Sequence, residues 1–276
     1  MSLVRGKRST FGPVKGRTYD GVRFAFEGRD SRDGSVRALI ALQYRSTTLE
    51  PVLRAALNPG DCCYDIGANI GLYAVRAAQL VGRAGQVYAF EPAPYPRRLL
   101  GSLIAENAVN DGTTVVATAV SGQSGQLSLR TQPGASGLSF TPMETEESDL
   151  TVPAITIDEF AREHRPPHLV KVDVEGHEVE VIRGALDCLE SHRPVMVLEV
   201  IDSHLRRAGS SVSELQALLA ENDYSLWYLT QRGLSPASDP GSQATPNALA
   251  VPRKTRRGDH LLEQLRETRF RRNQTE

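Results

Sequence analysis

The chain has 276 residues, room for one large domain or two small ones. Forty per cent of them are hydrophobic, and acids and bases nearly cancel to a net charge of −1, which speaks against a nucleic-acid or anionic-membrane partner. No apolar run approaches the ~20 residues of a membrane helix, no apolar segment follows Arg5, Lys7 and Arg8 to make a secretory leader, and three cysteines without a Cys-x-x-Cys pair read as reduced, packed thiols of a cytoplasmic protein.

Val22, Phe24 and Phe26 alternate, so residues 18–30 read as a strand or hairpin. Helical runs follow at Ala38–Leu42 and Leu49–Leu57, and the breaker Asn58-Pro59-Gly60 ends them. Strands and helices then alternate. Strand Cys62–Ile66 leads to a helix from Leu72 to Leu80, and strand Gln86–Phe90 to a helix from Pro96 to Asn107. A third strand covers Thr114–Val120, a short extra strand Gln126–Arg130, and the polar run Gly134–Asp149 reads as a mobile loop. A helix begins around Ile155–Phe160, with Thr156 or Asp158 able to cap it. Strand Leu169–Val174, helix Val179–Leu189, strand Val195–Val200, helix Val212–Asn222 and strand Tyr224–Leu229 follow, and Asn247–Val251 offers a seventh strand. Such alternation implies a parallel sheet covered by helices on both faces, with ligands at the carboxyl ends of the strands. Function is therefore expected at Asp65, Glu91, Val120, Asp173–Glu175 and Glu199. The basic segment Arg253–Arg272 contains the helical pattern Leu261, Leu262, Leu265, which can dock on the body or on a second copy of the chain.

The turn Asp65-Ile66-Gly67-Ala68-Asn69-Ile70-Gly71 joins a strand to a helix. Gly67 lets backbone approach a ligand closely, and Gly71 lets the helix pack tightly on the sheet. The helix N-terminus attracts a carboxylate, Asn69 adds an amide, and Asp65 can hold an ammonium group directly or through water. Glu91, at the next strand end before Pro92, can accept hydrogen bonds from two ribose hydroxyls. An adenosine carrying an α-amino acid fits these groups, which is S-adenosylmethionine. A dinucleotide would want a third glycine and no acid beside its diphosphate, so a nicotinamide-dependent oxidoreductase is the weaker alternative. A binding module without chemistry is the other.

A second constellation is Lys171-Val172-Asp173-Val174-Glu175-Gly176-His177-Glu178. Period-two alternation sets Lys171, Asp173 and Glu175 on one side. Charges beside an apolar sheet are costly unless paired or used. Lys171 can neutralise one acid, and Glu178 and Glu180 are also explained as helix-start acids. Together with Ala89-Phe90-Glu91-Pro92 and Ile155-Thr156-Ile157-Asp158, these blocks and their spacing resemble the FkbM-type methyltransferase family over roughly residues 45–202. Asn247–Pro252 resembles the family's closing strand. The resemblance implies an α/β, class I methyltransferase (Rossmann-like) fold with a seven-stranded, mostly parallel sheet. It also implies S-adenosylmethionine-dependent O-methylation of a hydroxyl on a natural product or sugar-like small molecule.

On this reading residues 1–45 form an N-terminal extension able to act as a lid, 46–252 the catalytic domain, and 253–276 a basic C-terminal helix or tail. An alcohol is a poor nucleophile and needs a base. Asp173 fills that role, with Glu175 as alternative or orienting partner and His177 as a relay. Glu199 either binds the acceptor or pairs with a neighbour such as Arg206. The segment 203–211, with His204, Arg206 and Arg207, also covers the site. Asp173, Glu175 and Glu199 could ligate Mg²⁺ or Ca²⁺, but Lys171 in their midst argues against a cation, so no metal is expected. Cofactor contacts are expected from Asp65, Gly67, Ala68, Asn69, Gly71, Glu91, Pro92 and Val120.

Overall fold

The breaker Asn58-Pro59-Gly60 and the strand–turn–helix rhythm after it correspond to real element boundaries in a computed structural model. It describes residues 13–28, 30, 34–43, 47–131, 138–140, 149–230, 233–238, 245–266 and 268–270. An antiparallel hairpin, β1 (Val14–Arg17) and β2 (Arg23–Phe26), precedes α1 (Gly34–Ala41) and α2 (Glu50–Ala56). The first half of the α/β body is β3 (Cys62–Ile66), α3 (Leu72–Val81), β4 (Gln86–Phe90), α4 (Pro94–Glu106) and β5 (Thr113–Val116). A small β insertion follows: β6 (Ala119–Val120), β7 (Gly125–Thr131), β8 (Leu138–Phe140) and β9 (Asp149–Ile155). The second half runs α5 (Ile157–Glu163), β10 (Leu169–Val172), α6 (Glu178–Arg183), α7 (Leu186–His192), β11 (Val195–Glu199) and α8 (Asp202–Arg207). It closes with α9 (Val212–Glu221), β12 (Tyr224–Thr230), β13 (Gly233–Pro236), β14 (Asn247–Pro252) and α10 (Arg256–Leu265).

The main sheet has the order β13-β12-β14-β11-β10-β3-β4-β5. Strands β5, β4, β3, β10 and β11 run parallel, and β14 is inserted antiparallel between β11 and β12. The chain builds outward from β3 to β5, returns to β10 and builds the other way. The switch point therefore lies between β3 and β10, where open α/β sheets carry their ligand crevice. The fold is the expected mostly parallel α/β class. The expected seven strands become eight because β13 turns back on β12.

Alternation along the strands separates two cores. Cys63, Val87, Ala89, Leu169, Val195 and Val197 pack under α2, α3, α4 and α10. Cys62, Tyr64, Ile66, Phe90, Val170, Val172, Met196 and Leu198 pack under α5, α6, α7 and α9. All three cysteines are buried and free, as expected. The C-terminal helix docks on the body: Leu261 and Leu265 of α10 join the first core, and Arg257 donates to Ala56 O at 2.6 Å and pairs with Asp61.

Four expectations need correction. The strand anticipated over Thr114–Val120 is two strands: β5 stays in the main sheet, while β6 joins a separate sheet of order β6-β9-β7-β8. Propensity cannot see that change of sheet, because it registers the strand-forming run from Thr113 to Val120 and not which strand each part pairs with. Ile155 ends β9 rather than starting a helix. Thr156 caps α5, accepting the Glu159 N–H at 3.0 Å, whereas Asp158 accepts the Cys188 N–H at 2.8 Å, just inside α7. The helix anticipated over Val179–Leu189 breaks at Gly184, where a Cβ would lie 2.2 Å from Ser121 O. The helix anticipated from Pro96 starts at Pro94, where a proline needs no N–H partner. The mobility expected for 134–149 lies mostly outside the described residues.

Glu50 and Arg76 tie α2 to α3 through two buried hydrogen bonds of 2.6 and 2.7 Å. Arg54 also reaches Glu50, at 2.5 Å, but from a side chain 60% exposed, so removing Arg76 leaves a buried carboxylate only partly compensated. Arg76→Leu is expected to lower unfolding free energy by about 3 kcal/mol, read from guanidinium titration, and Glu50→Met added to it should restore most of the loss.

Candidate active site

Two turns meet at the switch point. The first follows β3. Its Gly67 and Gly71 are left-handed (φ +73 and +95), as is Asn69 (φ 51). A Cβ on Gly67 would lie 1.9 Å from Asp173 O, and one on Gly71 would lie 2.3 Å from Leu100 Cδ1. The first glycine thus permits contact with the turn after β10, and the second permits contact between α3 and α4. Gly67 and Ala68 donate their N–H groups to Phe90 O at 3.1 and 2.9 Å, which fastens the turn to the end of β4.

Glu91 is buried and pins the same region. Its carboxylate accepts the Asn69 N–H and the Ala93 N–H, both at 2.9 Å. Burial pushes its carboxyl up to about 7, against the pull of those two amides. Pro92, buried only partly, presents its carbonyl to Arg97 at 2.5 Å. Val120 lies in β6, the strand of the small sheet that follows β5, and is buried in the second core.

Lys171 is a register partner of Asp65 in the β3–β10 ladder, so both side chains leave the sheet on the same face. Its ammonium lies 3.3 Å from Asp65 and 3.2 Å from Asp173, donates to Gly67 O at 3.5 Å, and sits 5.2 Å from the centre of the Tyr73 ring. Burial alone would discharge it, but Asp173 and Asp65 outweigh that and hold it above the ordinary lysine range. For Asp65, burial pushes upward while Lys171 and the Ala74 amide act the other way. Asp65 is 1% exposed, so it faces Lys171 rather than an open ligand space. The Asp173 side chain is 33% exposed, the open end of this chain of charges.

The turn after β10 is as constrained as the first. Glu175 and Gly176 are both left-handed (φ 55 and +110), and a Cβ on Gly176 would lie 2.4 Å from His204 O. Glu178, fully buried, accepts the Val174 and Gly176 N–H groups, each at 3.2 Å. It is more than a helix-start acid: it braces the loop that carries Asp173 and Glu175. Burial pushes its carboxyl up to about 7.

Glu175 and Glu199 meet at His204 of α8. His204 Nδ1 lies 3.2 Å from Glu175 and 3.5 Å from Glu199. Burial, Asp173 and Glu175 together push Glu199 up to about 9. Burial and Asp173 push Glu175 up as well, and burial and Arg207 push His204 down. Arg206 is not the partner of Glu199; it bonds Asp202 at 2.7 Å. His177 Nε2 lies 2.9 Å from Ser121 Oγ, just past β6. The histidine that meets the acids is His204, which sequence reasoning placed only in a covering segment. Its signal was position alone, in the loop after a carboxyl strand end.

A parallel α/β sheet thus carries at its switch point a glycine turn, an acid at the next strand end and a lysine–carboxylate chain, beside a cluster of two acids and a histidine. The methyltransferase FkbM domain matches residues 65–226, and the chain belongs to that family. It is 32% identical over 167 residues to the hexuronic acid methyltransferase AglP of Haloferax volcanii, covering 58% of this chain and 62% of that protein. It is 26% identical over 220 residues to the methyltransferase sdnD of Sordaria araneosa, covering 60% of this chain and 84% of that protein. A solved methyltransferase FkbM from Methylobacillus flagellatus KT superposes with a TM-score of 0.46 at 16% identity, covering 79% of this chain and 55% of that one. The chain thus spans less than two thirds of two of these three relatives. Among the described residues no helix is long and apolar enough to cross a membrane.

Gly60 and Gly67 are both left-handed, but a Cβ at Gly60 meets nothing within 4 Å. Gly60→Ala should therefore cost about 1 kcal/mol of backbone strain. Gly67→Ala should cost several times that, because Asp173 O must also move. Denaturant unfolding of the two variants reads the difference.

Proposed function

We propose that this enzyme is an S-adenosylmethionine-dependent O-methyltransferase whose acceptor is a small, sugar-like or natural-product molecule. The observation that supports it most is the contact of Gly67 with Asp173 O, because it brings a nucleotide-type turn and an open carboxylate to one switch point. The residues fit the cofactor. Asp65 and Asp173 around Lys171 leave one negative charge at the base of the turn, which suits a ligand carrying an ammonium and a sulfonium. Glu91 keeps acceptor capacity on both carboxylate oxygens for ribose hydroxyls, and the first turn of α3 suits a carboxylate. S-adenosylmethionine, when bound, supplies a methyl group already activated on sulfur.

The chain's own residues do the rest. Lys171, 3.2 Å from its carboxylate, holds Asp173 in place. Asp173 takes the proton from the acceptor oxygen as that oxygen is alkylated, a role that contributes about 10²–10⁴-fold. Glu175 and Glu199, facing His204, line the acceptor side. Glu178 holds the loop so that Asp173 and Glu175 keep their spacing. The His177–Ser121 pair supports the same wall from the β6 side. Asp30 anchors the N-terminal segment to the start of α4 through Arg98 at 2.8 Å and Tyr95 at 3.2 Å, near Glu91. That position supports a covering role for the N-terminal extension, and closure would exclude water from the transfer. The hexuronic acid named for the Haloferax relative supports a carbohydrate acceptor.

Calorimetry should show binding of S-adenosylmethionine and none of NAD; the reverse result would return the oxidoreductase reading. Asp173→Asn should lower kcat by about 10²–10⁴-fold while cofactor affinity stays within a few-fold, and unchanged turnover would remove Asp173 as base.

Glu91 also sets a pH dependence. Its free-state carboxyl titrates at about 7, and ribose hydroxyls favour the ionised form, so binding releases a proton from the fraction still protonated. Affinity should be full above pH 7 and fall about tenfold per unit as pH drops below it. Glu91→Gln should bind more weakly at high pH and lose that slope.

A further inference from the structure

Glu175, Glu199 and His204 reach one point from three different elements. Glu175 sits in the left-handed turn after β10, Glu199 ends β11, and His204 lies in α8. Gly176 against His204 O locks the turn and the helix together at a distance no side chain would allow. His204 Nδ1 is 3.2 Å from Glu175 Oε2 and 3.5 Å from Glu199 Oε2, and one donor atom from each residue lies within 4.8 Å of the others. These approaches are close yet are not hydrogen bonds. Glu199 Oε2 and His204 Nδ1 are both buried and have no hydrogen-bond partner among the described residues.

Atoms that crowd together without pointing at one another share a focus. An ion with bonds of about 2.1 Å sets its donors about 3.0 Å apart in an octahedron and about 3.4 Å apart in a tetrahedron. The two measured separations fall on that scale. Charge agrees. The objection from sequence was Lys171, but its ammonium contacts Asp65 and Asp173 instead. Among the described residues no lysine or arginine lies within ion-pair distance of Glu175 or Glu199, whose ion-pair contacts are both to His204.

We propose that Glu175, Glu199 and His204 bind one divalent cation of the first-row, borderline kind, such as Mn²⁺. An imidazole beside two carboxylates suits such ions better than Ca²⁺, which takes oxygen alone. Three protein ligands leave open positions on the ion, the pattern of sites that take a substrate. In the proposed methyl transfer, on which only this use of the site rests, those positions receive acceptor oxygens next to Asp173.

The test uses the full chain with Mn²⁺ alone, without cofactor or acceptor, and follows free Mn²⁺ by electron paramagnetic resonance. One saturable site is expected, with affinity reduced about a hundredfold in His204→Ala and in Glu199→Gln. Circular dichroism and S-adenosylmethionine binding, both unchanged in at least one of the two variants, would show that the loss is local. No saturable binding at millimolar Mn²⁺, or equal binding by the folded variants, would overturn the site and leave His204 as a histidine held by two acids. Calorimetry with S-adenosylmethionine on the same samples separates the two readings. Cofactor binding without Mn²⁺ binding sinks the cation site alone, and Mn²⁺ binding without cofactor binding sinks the methyltransferase chemistry alone.

Discussion

A single buried ammonium organises this protein. Lys171 sits inside a parallel sheet, where an unpaired charge would shed its proton or unfold its surroundings. It persists because β3 and β10 are in a register that sets Asp65 directly beside it, and because Asp173 comes round from the following turn to the other side. Removing either carboxylate would leave a cation with half its compensation. The register of the two central strands, the position of the first turn and the orientation of Asp173 are thereby coupled through one side chain. Of the pair Asp65 and Asp173, one is sealed and one reaches solvent, so the same lysine serves both packing and the open cleft.

Around that ion chain the backbone supplies rigidity that side chains could not. Left-handed residues occur in both turns: Gly67, Asn69 and Gly71 in the first, Glu175 and Gly176 in the second. Three of the glycines are in contacts that exclude a Cβ: Gly67 with Asp173 O, Gly71 with Leu100, Gly176 with His204 O. These contacts join β3 to the β10 turn, α3 to α4, and the β10 turn to α8. Strain of this sort survives only where neighbours over-determine the conformation. Glu91 and Glu178 provide that constraint: Glu91 ties Asn69 N–H of the first turn to Ala93 N–H after β4, and Glu178 accepts the Val174 and Gly176 N–H groups of the second turn. Both carboxyls stand near 7 because they are buried to do so.

The acid side of the cleft has a different character. Asp173, Glu175, Glu178 and Glu199 repel one another, and Glu199 carries the consequence, raised to about 9 by burial and its neighbours. Such crowding of like charge is expensive as packing, and perturbed carboxyls concentrate where chemistry or ligands use them.

Much of this was legible in sequence because the relevant signals are local. Alternation and glycine punctuation marked β3, α3, β4, β10, β11 and α9, and the spacing of Asp65, Gly67, Gly71 and Glu91 marked a nucleotide-type turn. Lys171 and Asp173 were readable as partners because they are two apart on a strand. What sequence could not supply was anything decided across distance. Thr114–Val120 splits between two sheets because the choice lies in the β6–β9 pairing, made with residues thirty-five positions away. His177 turns to Ser121 just after the left-handed Gly176, and Glu199, at the end of β11, meets His204 of α8 while Arg206 bonds Asp202. The sequence determined the strand ends and the chemistry they carry. Only the folding of β10, β11 and α8 against one another decided which of those groups touch.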